Sequence, residues 1–162
     1  YFVALGHSVP VEAVRFEGAQ AARPAPGVLA ALEEAEVVVV CPSNPVVSIG
    51  PILAVPGVAE ALRRRRHSAV AVSPLVGGSA LKGPADRMLA ELGHGASVAA
   101  VARLYSELVS RLVVDPADAH LADQVEAAGV GCVVAPAVMD TPQRAEGLAR
   151  AVLAAARAPA RP

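Results

Sequence analysis

Hydrophobic positions in this chain fall into short β-branched runs separated by stretches of helical period. Val37 to Cys41 is continuously apolar, the pattern of a parallel strand covered on both faces. Ser68 to Ser73 (SAVAVS), Leu112 to Val114 and Gly131 to Ala135 repeat that pattern. Helices are predicted between and after them. Pro26 and Gly27 open one through about Ala35, with Val28, Leu29 and Leu32 on its apolar side. Helix signals resume at Pro51; Pro56 suits a first helical position, and the helix runs to about Arg66. Another helix starts at Pro84, and the next spans about Ser97 to Val109 with Val98, Val101, Ala102, Tyr105 and Leu108 at helical spacing. The last two cover Pro116 to Ala128 and Pro142 to about Ala156, the second with Ala145, Leu148, Val152 and Ala156 inward.

The first part of the chain is less regular. Tyr1, Phe2 and Val3 read as the end of a strand, Val11 to Phe16 as a short, partly exposed strand, and Gln20 to Pro26 as a linker. Arg157 to Pro162 reads as a disordered tail. Strands alternating with helices mean βαβ units and a parallel sheet. The expectation is one α/β domain over residues 1–156, a three-layer Rossmann-like fold with a mainly parallel sheet.

Two loops interrupt this pattern where chemistry belongs, because ligands of open α/β sheets sit beyond the carboxyl ends of the strands. The first, Cys41 to Gly50 (CPSNPVVSIG), comes after the valine run. Its prolines fix φ and remove donors, which stiffens the loop. Ser43, Asn44 and Ser48 present short polar groups, and Ile49 and Gly50 are expected to leave backbone N–H groups free ahead of Pro51. The second, Pro74 to Pro84, comes after Ser73 and contains Gly77, Gly78, Lys82 and Gly83. Paired glycines let a backbone approach a ligand closely, and a nearby lysine meets phosphate as a point charge. The spacing GGSALKG is not that of a Walker loop. Adjacent strand ends can line one cleft, so the two loops read together as a nucleotide- or phosphate-binding site.

Composition narrows the class. The 162 residues are 54% hydrophobic and only 2% aromatic, so the core is expected to be Ala, Val and Leu. With 18% charged residues and a net charge of -1 there is no electrostatic case for nucleic acid. No apolar run reaches the roughly 18 residues of a membrane span. Cys41 and Cys132 are far apart and form no metal or redox spacing, which makes a reduced, cytoplasmic setting the expectation. The chain opens at Tyr1 and reads as mid-domain from its first residues, so a piece of something longer is expected.

Other candidates have plainer readings. Gly83-Pro84-Ala85-Asp86 and Asp115-Pro116-Ala117-Asp118 both place Asp in a first helical turn, where it complements the dipole. Asp118 reads as such a cap; Asp86 stays open between cap and ligand. Arg63 to Arg66 reads as a solvated helix end. His7, His67, His94 and His120 have no metal spacing, and the two cysteines read as small buried hydrophobes. Asp115 and Asp140 stand at strand ends, where metal ligands would be, yet capping accounts for both. No triad or acid/base pair is visible.

The strings CPSNPVVSIGPILAVPGV and SPLVGGSALKGPADRM resemble the 2-phospho-L-lactate transferase family (the CofD/FbiA type). The likeness continues through ASVAAVARLY, RLVVDPAD and the VMDT segment. The resemblance implies transfer of a phospholactyl or phosphoenolpyruvyl group from a guanosine-diphosphate-linked donor to the 5′ hydroxyl of a deazariboflavin. GMP would be released with Mg²⁺ assistance, and the product would be a precursor of coenzyme F-420. The Ala-, Arg-, Gly- and Pro-rich composition resembles an actinobacterial-type sequence, which implies the enolpyruvyl donor. Carried over to this chain, Ser43, Asn44, Pro45, Ser48, Ile49, Gly50 and Ser73 would face the nucleotide. Gly77, Gly78, Lys82 and Gly83 would approach its phosphates, with Asp86 and Arg87 beside them.

Family members run to about twice this length and begin with a Gly-rich strand and loop. The resemblance therefore puts the metal ligands in a half not present here, names no catalytic base, and leaves this piece alone inactive. It also implies a homodimer. Two other readings compete: a sugar-nucleotide-binding regulatory protein of the gluconeogenesis-factor type, which binds without turnover, and an inert half that merely folds.

Overall fold

The computed structural model describes Tyr1 and residues 3–158. Four parallel strands form the central sheet: β1 (Val38–Val40), β2 (Ala69–Val72), β5 (Arg111–Val114) and β6 (Gly131–Val134), side by side in that order. Val39 is in register with Val70, Ala71 with Leu112, and Val113 with Val133. The fold is α/β and Rossmann-like, with helices on both faces of the sheet.

Strand alternation sorts the core into two halves. Val40, Ala69, Ala71, Leu112 and Val114 face one side. They meet α3 (Val58–Arg64), α4 (Ala85–Glu91), α5 (Val98–Tyr105) and α6 (Ala122–Ala127) through residues such as Leu62, Leu89, Val101 and Val125. Val70, Val72 and Val113 face the other side and meet Leu148, Val152 and Ala155 of α7 (Pro142–Arg157). Alanines in β2 let the helix layer come close, and the buried set is dominated by Ala, Val and Leu as composition requires. Two short helices complete the order, α1 (Val28–Glu34), packed on α3, and α2 (Gly50–Leu53). No single helix among the described residues is long and apolar enough to cross a membrane.

Several local expectations are corrected. Val11 to Phe16 forms no strand, because no described strand lies beside it; Val11 N–H instead donates to Glu91 Oε2 at 2.8 Å. Tyr1 and Val3 are likewise not in a strand, and Phe2 lies outside the described residues. The helix expected from Pro56 begins at Val58, because Gly57 takes a left-handed conformation (φ 87°) at its N-cap. Val39 is 40% exposed, so β1 is covered on one face only. Helix α7 includes Arg157, which pairs with Glu36 at 3.3 Å; residues 159–162 of the expected tail lie outside the described residues.

The four arginines at the end of α3 are not simply solvated. Arg63 pairs with Glu60 and Glu107, and Arg64 with Glu33. Arg65 donates to the Ala35 carbonyl, and Arg66 donates to the carbonyls of Ser106 and Gly129. The quartet ties the ends of α1, α5 and α6 to α3.

Candidate functional site

Strand β1 ends at buried Val40, and the chain turns at once through Pro42-Ser43-Asn44. Asn44 caps the next turn: its Oδ1 accepts from Val46 N at 2.9 Å and Val47 N at 3.3 Å. Pro45 suits the first helical position because it has no N–H to leave unsatisfied. The turn from Pro45 to Ile49 is wide, with the Asn44 carbonyl accepting from Ser48 N at 3.0 Å and Ile49 N at 3.1 Å. Gly50 N–H in turn donates to the Pro45 carbonyl. The expectation that Ile49 and Gly50 leave free N–H groups is therefore corrected; a π-helical turn uses both.

Strand β2 ends at Val72 and is followed by Ser73, which is 2% exposed. Its hydroxyl accepts from Leu75 N at 3.1 Å and donates to Leu75 O at 3.2 Å, closing the turn. The loop beyond Ser73 is not irregular throughout. It contains an antiparallel hairpin, β3 (Leu75–Val76) and β4 (Ser79–Ala80), turning at Gly77 and Gly78. Both glycines have positive φ (61° and 75°), which a two-residue hairpin turn demands.

These segments enclose a cleft of about 420 Å³ over the carboxyl ends of β1 and β2, closed on the far side by the segment that follows β6. Ser43, Asn44 and Ser48 line it from the first loop. Ser73, Lys82 and Gly83 line it from the second, and Ala137 and Met139 from the segment after β6. Apolar side chains fill much of the rest, and Leu81 (58% exposed) and Met139 (50% exposed) stand at its mouth.

The remaining predicted residues lie elsewhere. Pro45 and Gly50 line a separate apolar pocket behind the turn, with Phe16, Leu53 and Tyr105. Ile49 packs against the core. Gly77 and Gly78 are outside the cleft lining, and their N–H groups donate to Asp118 Oδ2 at 2.8 Å and Oδ1 at 3.1 Å. Neither N–H is left for a phosphate. Asp86 sits in the first turn of α4, outside the lining. Arg87 pairs with Glu91 at 3.1 Å and donates to the Tyr1 hydroxyl at 2.8 Å, which fastens the start of the chain to α4.

Sequence reasoning misses Asp118. It is 1% exposed and binds residues about forty positions upstream, whereas the expected cap needs only its own helix. Asp115 does cap its turn, accepting from Ala117 N at 3.0 Å, but its second oxygen accepts from Ala137 N at 2.9 Å. Asp140 is not a cap: it pairs with Arg144 at 2.7 Å, and Thr141 caps α7.

The groups left free in the cleft are few. The hydroxyls of Ser43 and Ser48 and the ammonium of Lys82 have no hydrogen-bond or ion-pair partner among the described residues. Lys82 is the one charged side chain in the lining among the described residues and the single lysine of the sequence. One flexible cation, two hydroxyls and apolar walls suit a ligand with an anionic group and an apolar ring. Among the described residues no three His, Cys, Asp or Glu side chains come together to hold a metal ion. Asp115 and Asp118, behind the cleft, are engaged by backbone N–H groups, so those two carboxylates offer no ligand set for the expected Mg²⁺.

A family model described as 2-phospho-L-lactate transferase CofD matches residues 2–152. The chain belongs to that family. It is 45% identical over 157 residues to a phosphoenolpyruvate transferase of Kitasatospora aureofaciens, covering 96% of this chain and 49% of that protein. It is 47% identical over 154 residues to a phosphoenolpyruvate transferase of Streptomyces coelicolor, covering 94% and 48% respectively. It is also 45% identical over 104 residues to a 2-phospho-L-lactate transferase of Methanothermobacter thermautotrophicus, covering 64% of this chain and 33% of that one. The chain spans about half the length of the phosphoenolpyruvate transferases it matches.

Proposed function

We propose that this chain forms the nucleotide-binding part of a transferase acting on a guanosine-diphosphate-linked donor. The group moved is a phosphoenolpyruvyl or phospholactyl unit, and the acceptor is the 5′ hydroxyl of a deazariboflavin, a step of coenzyme F-420 biosynthesis. Relatives named phosphoenolpyruvate transferase that match nearly the whole chain favour the enolpyruvyl donor. The observation that carries the reading is the cleft over the strand ends, whose one charged lining group among the described residues is the ammonium of Lys82, unpaired there.

The chemistry suits such a site. The acceptor oxygen forms a new bond to the phosphorus that bears the transferred group. The bond from that phosphorus to the bridging oxygen breaks, GMP leaves with the electron pair, and the hydroxyl proton is released. This displacement needs neutralisation of charge on the leaving phosphate and in-line placement more than a covalent nucleophile. Lys82 offsets charge on the diphosphate, Ser43 and Ser48 donate to oxygen acceptors, and the proline-stiffened loop holds them with little loss of entropy on binding. The expected Mg²⁺ finds no ligand set among the described residues, and no step here passes through it.

Calorimetric titration of the chain with GDP and, separately, UDP, each with Mg²⁺, tests the reading. GDP binding in preference to UDP supports it. Equal binding of both favours a general nucleotide site, and binding of neither removes the nucleotide site from these two loops taken alone.

A further inference from the structure

The turn after β5, Asp115-Pro116-Ala117-Asp118, lies behind the cleft and is hydrogen-bonded to two of its walls. Asp118 sends both carboxylate oxygens to Gly77 N and Gly78 N at the tip of the β3–β4 hairpin. That hairpin carries Val76 on one arm, and its other arm leads straight into Leu81, Lys82 and Gly83. Asp115 sends one oxygen to Ala137 N on the opposite wall, two residues before Met139. Its other oxygen closes the turn itself on Ala117 N. Pro116 fixes φ between the two aspartates, and Asp118 N–H donates back to the Asp115 carbonyl at 2.9 Å. The hairpin tip sits close on this turn: a Cβ on Gly77 would lie 3.9 Å from the methyl of Ala117.

We propose that Asp115 and Asp118 are positioning residues that fix the width of the cleft, Asp118 by holding the wall that carries Lys82 and Asp115 by holding the wall that carries Met139. Charge-assisted bonds from two adjacent N–H groups to one buried carboxylate are strong and directional, which a two-stranded hairpin of two residues per arm needs in order to stay in place. The pair acts through the walls and touches no ligand. This rests on the reading of the cleft as the donor site only for its consequence in binding; the bracing itself is independent of it.

The test uses Asp118→Asn and Asp115→Asn, each of which keeps one side-chain acceptor, with Asp118→Ala as a harsher variant. Amide hydrogen exchange at Gly77, Gly78 and Ala137 is read by NMR without ligand, and GDP affinity in Mg²⁺ is read far below the melting temperature, where every variant is folded. Asp118→Asn is expected to speed exchange at the hairpin tip and to weaken GDP binding about tenfold or more, since small displacements of positioning groups are costly. Asp115→Asn is expected to free Ala137 and leave the hairpin amides as they are. A purely structural role would lower the melting temperature of the variants and leave GDP affinity unchanged while they are folded; that result overturns the proposal, as does unchanged exchange at Gly77 and Gly78. If the unmutated chain binds no GDP, the nucleotide reading fails, and exchange at Gly77 and Gly78 in Asp118→Asn still decides the bracing.

Discussion

Lys82 offers the sharpest test of how this cleft works, because no second cation among the described residues lines it to mask the loss. Two unit charges about 4 Å apart attract by about 1 kcal/mol in bulk water and about 4 kcal/mol at an effective dielectric of 20. Lys82 is exposed, and a flexible ammonium loses rotamer freedom on binding, which places its value toward the lower end. Lys82→Met keeps the stem and removes the charge. It should cost about 1–2 kcal/mol, or about 5–30-fold in GDP affinity, with no change in melting temperature. Calorimetry at two ionic strengths separates charge from shape. The Debye length falls from about 10 Å at 0.1 M to about 3 Å at 1 M, so the gap between the two proteins should close as salt rises. Equal affinities at low salt would remove Lys82 from the site, and a gap that ignores salt would refute the electrostatic account. Since Lys82 is the single lysine, acetylation should reproduce the loss, and bound GDP should slow the modification.

Three further outcomes are expected from the packing. Burial pushes the Tyr105 phenol well above its ordinary value of 10.0, so the folded chain keeps a proton that the unfolded chain releases in alkali. Its contribution is complete below about pH 10 and is lost as pH rises beyond it, so urea midpoints should fall there and fall less in Tyr105→Phe. In Gly50→Ala the new Cβ would sit 2.8 Å from Phe16 Cζ and 3.3 Å from the Pro45 carbonyl oxygen. A cost of about 1–3 kcal/mol is expected, read by thermal melting and relieved in part by Phe16→Leu. Burial first, and then the charge of Glu126, raise the Cys132 thiol, whereas Cys41 is exposed. A thiol reagent should label Cys41 first and Cys132 mainly after denaturation, as read by mass spectrometry of the labelled peptides.

The sheet is legible in the sequence because its strands are β-branched or alanine runs bounded by Pro, Ser and Gly, and no tertiary contact is needed to see that. The two loops are legible for the same reason: rigid polar turns after buried strands have no packing explanation. The hairpin at Leu75 to Ala80 escapes that reading although Gly77-Gly78 between apolar residues is a hairpin signal, because the same glycines also suit a ligand-facing loop. Val11 to Phe16 shows the opposite error, since alternation alone cannot supply a neighbouring strand. Asp118 and the Arg63 to Arg66 quartet look local from their own helices, but their distant partners lie 30 to 63 positions away in sequence, where local pattern carries no information. Asn44 reads as a ligand group, yet its carbonyl oxygens already satisfy four backbone donors of its own turn.

The cleft divides its labour between two sets of residues. Ser73, Asp115 and Asp118 spend their side-chain oxygens on backbone groups, and Asn44 divides its amide between backbone N–H groups and the Met88 sulfur, so their identities answer to the fold. Leu81 and Met139, at the mouth, answer to no partner of that kind and project half free of the protein. Substitutions there change what the opening admits at little cost to stability, while substitutions behind it change the frame. A scaffold arranged in this way can change what it admits by drift at its rim, and its selectivity can evolve faster than its shape.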